Sequence, residues 1–268
     1  MQDRVTLPQW LDNLIFEQLG AKYCRSNADM TVIDWDKNDV LNYLGTYFPR
    51  SYAESYCIFS DFFKKYPERF SNKMELSVFD FGCGTGGEIF GLVDALSNYF
   101  PEIKQVRIIA LDGNQHALRL LERVKENYNT VSKTSIILRI VPLRIDDFYD
   151  LTTAKRILRQ DFDIIMTFKA ICEFVTKEKF ERHNAYAHIV SEFIPKLKDD
   201  GIMLLVDVTT YSNVSKEWLP KMMDTGLEES GCSLLQKNES YNQPFYVTHN
   251  IMKCDISKIA WRLIQKPL

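Results

Sequence analysis

The chain has 268 residues, of which 46% are hydrophobic and 26% are charged. This length is sufficient for one large domain, or one domain with an appendage, around a sizeable core. A net charge of −3 counts against a dedicated nucleic-acid binder without excluding one, because such proteins are usually basic. The six cysteines include no C-x-x-C pair, which argues against a zinc site and a disulfide framework and predicts a reducing, cytoplasmic location.

The N-terminal part has a helical pattern. Apolar residues from Trp10 to Leu19 follow helical spacing, and Gly20 is a plausible stop. Residues 40–66 are rich in aromatics, which past Pro49 recur in steps of four and three until Pro67. We expect a helical cap over residues 1–72 whose aromatic stripe packs on a catalytic domain over residues 73–268. The alternative is a lid in which Arg50 or Tyr52 faces a ligand.

A glycine-rich stretch organises the rest of the chain. An apolar run over residues 76–81 predicts a buried strand, and residues 88–100 have the apolar spacing of a helix. Between them lie four glycines, at positions 82, 84, 86 and 87. A turn of this kind leaves backbone N–H groups at a helix N-terminus and lets a ligand approach the main chain closely. The pattern therefore predicts a binding loop for a nucleotide-type cofactor.

Two interpretations compete for these glycines. Gly82, Gly84 and Gly87 satisfy the G-x-G-x-x-G of a dinucleotide-binding turn, which alone is a weak signal. Gly82, Gly84 and Gly86 follow Asp80 in an acidic-x-G-x-G-x-G pattern that resembles the class I S-adenosyl-L-methionine (SAM) dependent methyltransferases. A carboxylate there would repel a pyrophosphate and attract the cationic amino group of SAM. We therefore favour SAM over NAD, and an NAD-dependent oxidoreductase remains an alternative.

The resemblance implies a set of cofactor-binding residues. An acidic residue at the end of the second strand, here Asp112 beside Gly113, holds the ribose hydroxyls in such enzymes. An acidic residue after the third strand accepts from the adenine amino group; Asp146 is preferred to Asp147, and capping of a helix over residues 151–160 is the competing explanation for either. The remaining implied residues are Asp80, Gly82, Cys83, Gly84, Thr85, Gly86, Phe148 and Lys169.

The alternation of strands and helices continues to residue 210. Further strands are predicted over residues 162–168 and 202–208, and helices over 178–197 and 215–230. Two final β segments, over residues 245–252 and 258–265, are expected to include antiparallel pairing. The predicted fold is therefore α/β, a doubly wound and mostly parallel sheet with, by resemblance, the seven strands of a class I methyltransferase and a helical N-terminal cap.

The predicted activity is methyl transfer from SAM. Because SAM carries its own leaving group, the protein need only align the nucleophile, methyl carbon and sulfur and exclude water. A hydroxyl or protonated amine acceptor would also need a base, for which Glu173 and Tyr211 are the candidates. Cys172 is more plausibly a buried structural cysteine than a nucleophile. An inactive SAM-binding assembly or regulatory protein is the alternative from another functional class.

The methyl acceptor is left open between RNA, a protein and a small molecule. Residues 47–54 weakly resemble the ribosomal small-subunit methyltransferase-like family, and the C-terminal segment is basic, with Lys253, Lys258, Arg262 and Lys266. Both features favour RNA, whereas the overall acidity counts against it. We expect no membrane partner and no metal ion, since no apolar run reaches transmembrane length and no histidine pair has metal-ligand spacing. The oligomeric state is equally open.

Overall fold

The computed structural model of the protein describes residues 4–24, 36–175 and 182–267. Within these ranges the strands are β1 (Arg4–Thr6), β2 (Glu75–Phe81), β3 (Gln105–Asp112), β4 (Ser135–Pro142), β5 (Phe162–Phe168), β6 (Leu197–Val208), β7 (Tyr211–Ser212), β8 (Glu217–Trp218), β9 (Ser233–Lys237), β10 (Gln243–Thr248) and β11 (Asp255–Gln265). The α-helices are α1 (Gln9–Asn13), α2 (Lys37–Lys65), α3 (Gly87–Tyr99), α4 (Gln115–Val131), α5 (Thr152–Ile157), α6 (Ile171–Val175), α7 (Ala185–Phe193) and α8 (Leu219–Ser230). A π-helical turn (Leu14–Gln18) follows α1, and a 3₁₀ turn (Ile194–Lys196) precedes β6.

The chain divides into two compact units. The first comprises Met1–Leu76, Cys83–Pro142 and Pro244–Ser257 and contains helices α1 to α4. In it β3 pairs with β4 in parallel, with Asp112 opposite Pro142 at the carboxyl ends, and β1 pairs with β10 in parallel. The first unit therefore holds both the glycine-rich turn from Cys83 onward and the strand end that carries Asp112.

The second unit comprises Ser77–Gly82, Leu143–Gln243 and Lys258–Leu268. Here β2 pairs with β5 and β5 with β6, both in parallel, while β11 runs antiparallel to β6 and to β9. The carboxyl ends of β2, β5 and β6 consequently share one edge. Strands β7 and β8 form a separate two-stranded hairpin directly after β6.

Helix α2 is a single helix from Lys37 to Lys65 that continues through Pro49. Its N-terminus is a capping box, in which the Asp36 carboxylate accepts from the N–H groups of Asn38 (2.7 Å) and Asp39 (3.0 Å). The helix is buried on both sides of the proline, which shows tertiary packing overriding a helix-breaking residue. The predicted aromatic helix is thus present and begins earlier than expected.

The glycines of α3 explain its close approach to α2. A Cβ placed on Gly87 would lie 2.3 Å from the backbone oxygen of Phe48, and one on Gly91 would lie 2.3 Å from that of Tyr52. Two glycines four residues apart on one helix face therefore let the helix backbones come into contact. Gly87, the third glycine of the apparent G-x-G-x-x-G pattern, is therefore explained by helix packing.

Most of the predicted architecture is confirmed, including the mostly parallel α/β arrangement and the antiparallel pairing of the C-terminal strand. In the described part of the chain there are nine strands besides the hairpin, more than the seven expected, because β1 and β9 are additional. Helix α7 spans Ala185–Phe193, shorter than the predicted 178–197, because Asn184 caps its first turn; residues 176–181 lie outside the described residues. The helix predicted over 215–230 starts only at Leu219, since the hairpin occupies the preceding residues. The division at residue 72 stays a prediction.

Candidate functional site

The glycine-rich turn has the backbone conformation that its sequence predicts. Gly82, Gly84 and Gly86 have φ of 72°, 50° and 77°, in the left-handed region that favours glycine. The Gly86 N–H donates to the Cys83 oxygen over 2.8 Å, and Gly86 is the N-cap of α3. Cys83 and Thr85 are buried. The turn is thus a compact main-chain loop at a helix N-terminus.

Asp112 is bound to this turn within the first unit. Its Oδ2 accepts from the Gly84 N–H over 2.8 Å, and its Oδ1 accepts from the Asn114 N–H over 2.7 Å. Burial raises the pKa of Asp112, against the opposing effect of the backbone N–H groups of Asn114, Gly84 and Gly113. Asn114 in turn caps α4 by accepting from the His116 and Ala117 N–H groups. The Asp112 carboxylate at the end of β3 therefore stabilises the glycine turn.

Tyr43 of α2 lies next to the same turn. A Cβ placed on Gly84 would lie 3.1 Å from the Tyr43 hydroxyl, and the Tyr43 ring stacks on Tyr47 at 4.9 Å between centroids. The alternative of a lid is wrong for the two residues that it named. Arg50 is buried and ion-paired with Asp255 at 2.7 Å, and Tyr52 is buried and donates to Asp94. Tyr43, which the sequence analysis did not single out, is the aromatic residue at the turn.

In the second unit, the carboxyl ends of β2 and β5 bring Gly82 against Ala170. A Cβ on Gly82 would lie 2.4 Å from the Ala170 Cβ, so only glycine fits there. Asp80, two residues earlier on β2, is fully buried. Lys169 has a φ of 56°, a left-handed conformation that costs a non-glycine residue about 1–2 kcal/mol, and its N–H donates to the Val206 oxygen over 2.8 Å. Strain of this kind clusters at functional sites.

Asp207 is a buried carboxylate at the same edge that the sequence analysis missed. It lies at the end of β6, where its Oδ2 accepts from the Cys172 N–H and from the Tyr186 hydroxyl, each over 3.0 Å. Burial raises the pKa of Asp207 to about 6. The only signal in the sequence is an acidic residue inside an apolar strand, where an ionisable side chain needs partners.

The residues predicted to contact adenine have different surroundings. Asp146 is largely exposed and ion-paired with Arg144 at 2.8 Å. Asp147 accepts from the Tyr149 N–H and is ion-paired with Arg182 at 2.9 Å. Phe148 is 5% exposed, with its ring 4.7 Å from that of Phe174. Neither aspartate caps α5. The N-cap of that helix is Leu151, and no side chain makes a capping hydrogen bond there.

The two candidate bases lie on different elements of the second unit. Glu173 is in the first turn of the short helix α6, where its N–H donates to the Ala170 oxygen over 3.1 Å. Tyr211 is on the hairpin, 38% exposed, with its ring 5.4 Å from Trp218 in an edge-to-face contact. Trp218 makes a second edge-to-face contact with Tyr241, and both are nearly half exposed. The hairpin thus presents two aromatic rings to solvent, beside the ring of Tyr241 from the connection between β9 and β10.

In the basic C-terminal segment, the Arg262 side chain is not available to bind a phosphate. That side chain is buried, bonded to both Asp224 oxygens (2.7 and 2.9 Å) and to Asn238. Arg262 therefore does not support RNA as the acceptor, although it belongs to the basic segment that favoured RNA in the sequence, because its charge is already neutralised in the fold. Within the described residues, no group of three or more His, Cys, Asp or Glu side chains is arranged to hold a metal ion. No helix in those ranges is both long and apolar enough to cross a membrane.

Comparison with known proteins gives structural likeness alone. No protein-family model matches the chain, and no curated protein matches it. A precorrin-6y C5,15-methyltransferase from Geobacter metallireducens is 15% identical, with a TM-score of 0.46 over 80% of this chain and 88% of that one. A magnesium protoporphyrin IX methyltransferase from Synechocystis with bound SAM is 9% identical, at 0.47 over 96% and 90%. An rRNA methyltransferase from Streptomyces viridochromogenes is 12% identical, at 0.44 over 78% and 84%. The function of this chain therefore rests on its own residues.

Proposed function

We propose that this protein is a SAM-dependent methyltransferase that binds its cofactor at the glycine-rich turn. One observation carries the proposal: the Asp112 carboxylate is bonded to Gly84 in a left-handed main-chain turn, and a second carboxylate, Asp80, precedes that turn. Carboxylates that come before and after the glycines in the sequence suit a ligand with a cationic amino group and vicinal hydroxyls. They oppose the pyrophosphate of a dinucleotide by charge repulsion.

The donor and acceptor capacity of Asp112 fits a ribose. An ionised carboxylate has about four lone-pair sites, and backbone N–H groups use two of those of Asp112, one on each oxygen. The Gly113 N–H also acts on this carboxylate, which leaves at least one lone-pair site to accept from a ribose hydroxyl. The same backbone bonds fix the direction of the carboxylate before a ligand arrives, which lowers the entropic cost of binding.

We assign the other cofactor contacts by position. The main chain of Cys83, Gly84, Thr85 and Gly86 would face the amino-acid part of SAM, with Asp80 supplying negative charge. Asp112 and Gly113 would hold the ribose. Asp146, Asp147 and Phe148 would contact the adenine of SAM. Lys169 is the remaining residue that we assign to the cofactor site.

SAM supplies an activated methyl group on a sulfonium that leaves as a neutral thioether. The protein holds the acceptor in line with that group and excludes water. Glu173 or Tyr211 would take the proton of a hydroxyl or amine acceptor. The exposed rings of Tyr211, Trp218 and Tyr241 would contact the acceptor, which is RNA, a protein or a small molecule.

We place the protein in the cytoplasm because its cysteines are free in the described residues.

Calorimetric titration tests the cofactor assignment. We expect SAM and S-adenosylhomocysteine to bind with one site, and NAD to give no heat of binding. Methyl-labelled SAM incubated with fractionated cell extract then identifies the acceptor by the fraction that takes the label. NAD binding without SAM binding would replace the proposal with an oxidoreductase. SAM binding without transfer to any fraction would indicate the inactive SAM-binding protein instead.

A further inference from the structure

We propose, on the basis of the function above, that Asp207 is a positioning residue of the cofactor site. By accepting hydrogen bonds from Cys172 and Tyr186, it holds the turn over residues 169–172 against Gly82. Its ionisation would then make cofactor affinity depend on pH. Four features of the second unit support this assignment.

The first feature is the connection from Asp207 to the turn. The Cys172 N–H, at the start of α6, donates to Asp207 Oδ2 over 3.0 Å, and the Cys172 thiol is 3.1 Å from the Lys169 oxygen. The Lys169 N–H donates to the backbone of β6 one residue before Asp207, at Val206. The two ends of the turn are thus attached to the end of one strand.

The second feature is the strain that these bonds maintain. Lys169 has the left-handed φ of 56°, which a lysine adopts only when its surroundings enforce it. The bonds at Val206 and Asp207 restrain the two ends of this turn. Weakening the Asp207 contact would let the turn relax toward an ordinary conformation.

The third feature is the direct contact between the turn and the glycine loop. Ala170 lies so close to Gly82 that a Cβ on Gly82 would be 2.4 Å from the Ala170 Cβ. Because the Ala170 methyl group packs directly beside Gly82, a shift of Ala170 moves Gly82 or leaves a gap beside it. The position of the turn therefore determines the shape of the start of the loop.

The fourth feature is the charge environment of Asp207. The groups that face it are the Cys172 thiol and N–H from α6 and the Tyr186 hydroxyl from α7, with Arg262 of β11 acting on Tyr186 over a longer distance. Burial raises the pKa of Asp207 to about 6 and the pKa of Tyr186 well above its usual range. Near neutral pH the carboxylate is thus ionised with Tyr186 as a donor, and acidification would protonate it and weaken the bond from Cys172.

The test is the pH profile of SAM affinity in wild type and Asp207→Asn. Asparagine keeps an acceptor oxygen for Cys172 and Tyr186 but cannot ionise. We expect the wild-type Kd to rise about 5- to 10-fold between pH 7.5 and 5, as charge-assisted bonds become neutral ones. The Kd of Asp207→Asn should be raised by a similar factor at pH 7.5 and should change less with pH. Tyr186→Phe should move the midpoint of the wild-type profile upward, because a donor that favours the ionised form is lost.

Asp163→Asn is the matched control. Asp163 is also fully buried, but it lies at the amino end of β5, where it accepts from Ser77 and Lys198. Its replacement should lower thermal stability and leave the pH profile of SAM affinity as in wild type. Identical pH profiles in wild type and Asp207→Asn, or the same change in Asp163→Asn, would overturn the assignment of Asp207.

Hydrogen exchange separates this inference from the proposed function. If SAM does not bind the wild-type protein at all, the proposed function fails. The positioning role is then measured in the free protein by exchange of the Cys172 amide. Faster exchange in Asp207→Asn than in wild type supports the role, and unchanged protection at Cys172 contradicts it.

Discussion

At the scale of single residues, Asp112 combines a binding role with a structural one. Its two oxygens hold the N–H groups of Gly84 and Asn114, so it orders the glycine turn before any ligand arrives. The backbone bonds show that its removal would also loosen the turn.

We predict that Asp112→Ala raises the Kd for SAM by about 30- to 1000-fold, corresponding to about 2–4 kcal/mol. Asp146→Ala is the comparison, because Asp146 is largely exposed and already paired with Arg144. We expect it to raise the Kd by less than about tenfold, as for one bond to a neutral amine. Calorimetric titration of both variants, with circular dichroism as the folding control, measures this difference. Wild-type affinity in Asp112→Ala would refute the ribose assignment.

Gly84 and Gly20 separate backbone strain from ligand binding. Both have positive φ, 50° and 76°, but a Cβ on Gly84 would meet Tyr43 whereas one on Gly20 would meet nothing within 4 Å. We expect Gly20→Ala to cost about 1 kcal/mol of stability through its left-handed conformation and to leave SAM affinity unchanged. Gly84→Ala should have a similar or larger stability cost and also lose SAM affinity.

Chemical denaturation and SAM titration of these two glycine variants provide the measurements. Equal SAM affinity of Gly84→Ala and Gly20→Ala, both folded, would mean that the cofactor does not approach the turn at Gly84.

At the scale of elements, the pair α2 and α3 depends on missing side chains. In an exposed helix, replacing Gly91 by alanine would stabilise the protein by about 1 kcal/mol through helix propensity. Here the new Cβ would lie 2.3 Å from the Tyr52 backbone oxygen, so the helices would have to separate. Overpacking of this kind costs about 1–3 kcal/mol, and the rigid backbone partner favours the upper end.

We therefore predict that Gly91→Ala lowers the free energy of unfolding by about 1–2 kcal/mol, after the propensity gain is subtracted. The sign is the test, since propensity alone predicts the opposite. Urea denaturation of the variant beside wild type measures it. A more stable Gly91→Ala protein would show that the two helices do not pack as described.

The hairpin of β7 and β8 has two exposed aromatic rings, Tyr211 and Trp218, and Trp218 also contacts the exposed ring of Tyr241. We predict that Trp218→Ala lowers methyl transfer about tenfold, since a lost aromatic contact at a binding surface is worth about 1–1.5 kcal/mol. The Kd for SAM and the unfolding free energy should stay within error of wild type. Tyr99→Ala, which removes another aromatic side chain that is 40% exposed, is the control and should retain transfer activity.

The label-transfer assay used to find the acceptor measures this effect once the acceptor is known. Full activity of Trp218→Ala would show that the hairpin is not the acceptor surface. Loss of SAM affinity in the same variant would point to a structural role of Trp218.

At the scale of the whole molecule, cofactor binding should be visible as stabilisation. A ligand at 100 times its Kd stabilises the folded state by about 2.7 kcal/mol, which raises the Tm of a protein of this size by about 5–10 °C. We predict this shift for SAM and S-adenosylhomocysteine and none for NAD at the same concentration. Differential scanning fluorimetry gives the comparison, with Asp112→Ala as the variant in which the SAM shift should fall to about a third of the wild-type shift or less. A shift with NAD alone would contradict the proposed cofactor.

Much of this molecule was determined by local sequence. Strands β2 and β5 were predicted to within one residue, because continuous apolar runs of six or seven residues between turn signals have few other stable arrangements. The left-handed glycines from 82 to 86 followed from the strand–turn–helix pattern, since other residues would be strained there. The position of Asp112 at the end of β3 followed from the same pattern.

The remaining features depend on partners distant in sequence, which no local pattern encodes. Arg50 and Arg262 looked available to a ligand, yet their partners Asp255 and Asp224 lie 205 and 38 residues away. In the sequence, Tyr43 could not be distinguished from the other aromatics of residues 40–66. Its place beside Gly84 depends on how α2 packs against the turn. Asp207 became a candidate only when three strand ends met at one edge, because the environment of a buried carboxylate is set by the tertiary structure that removes it from water.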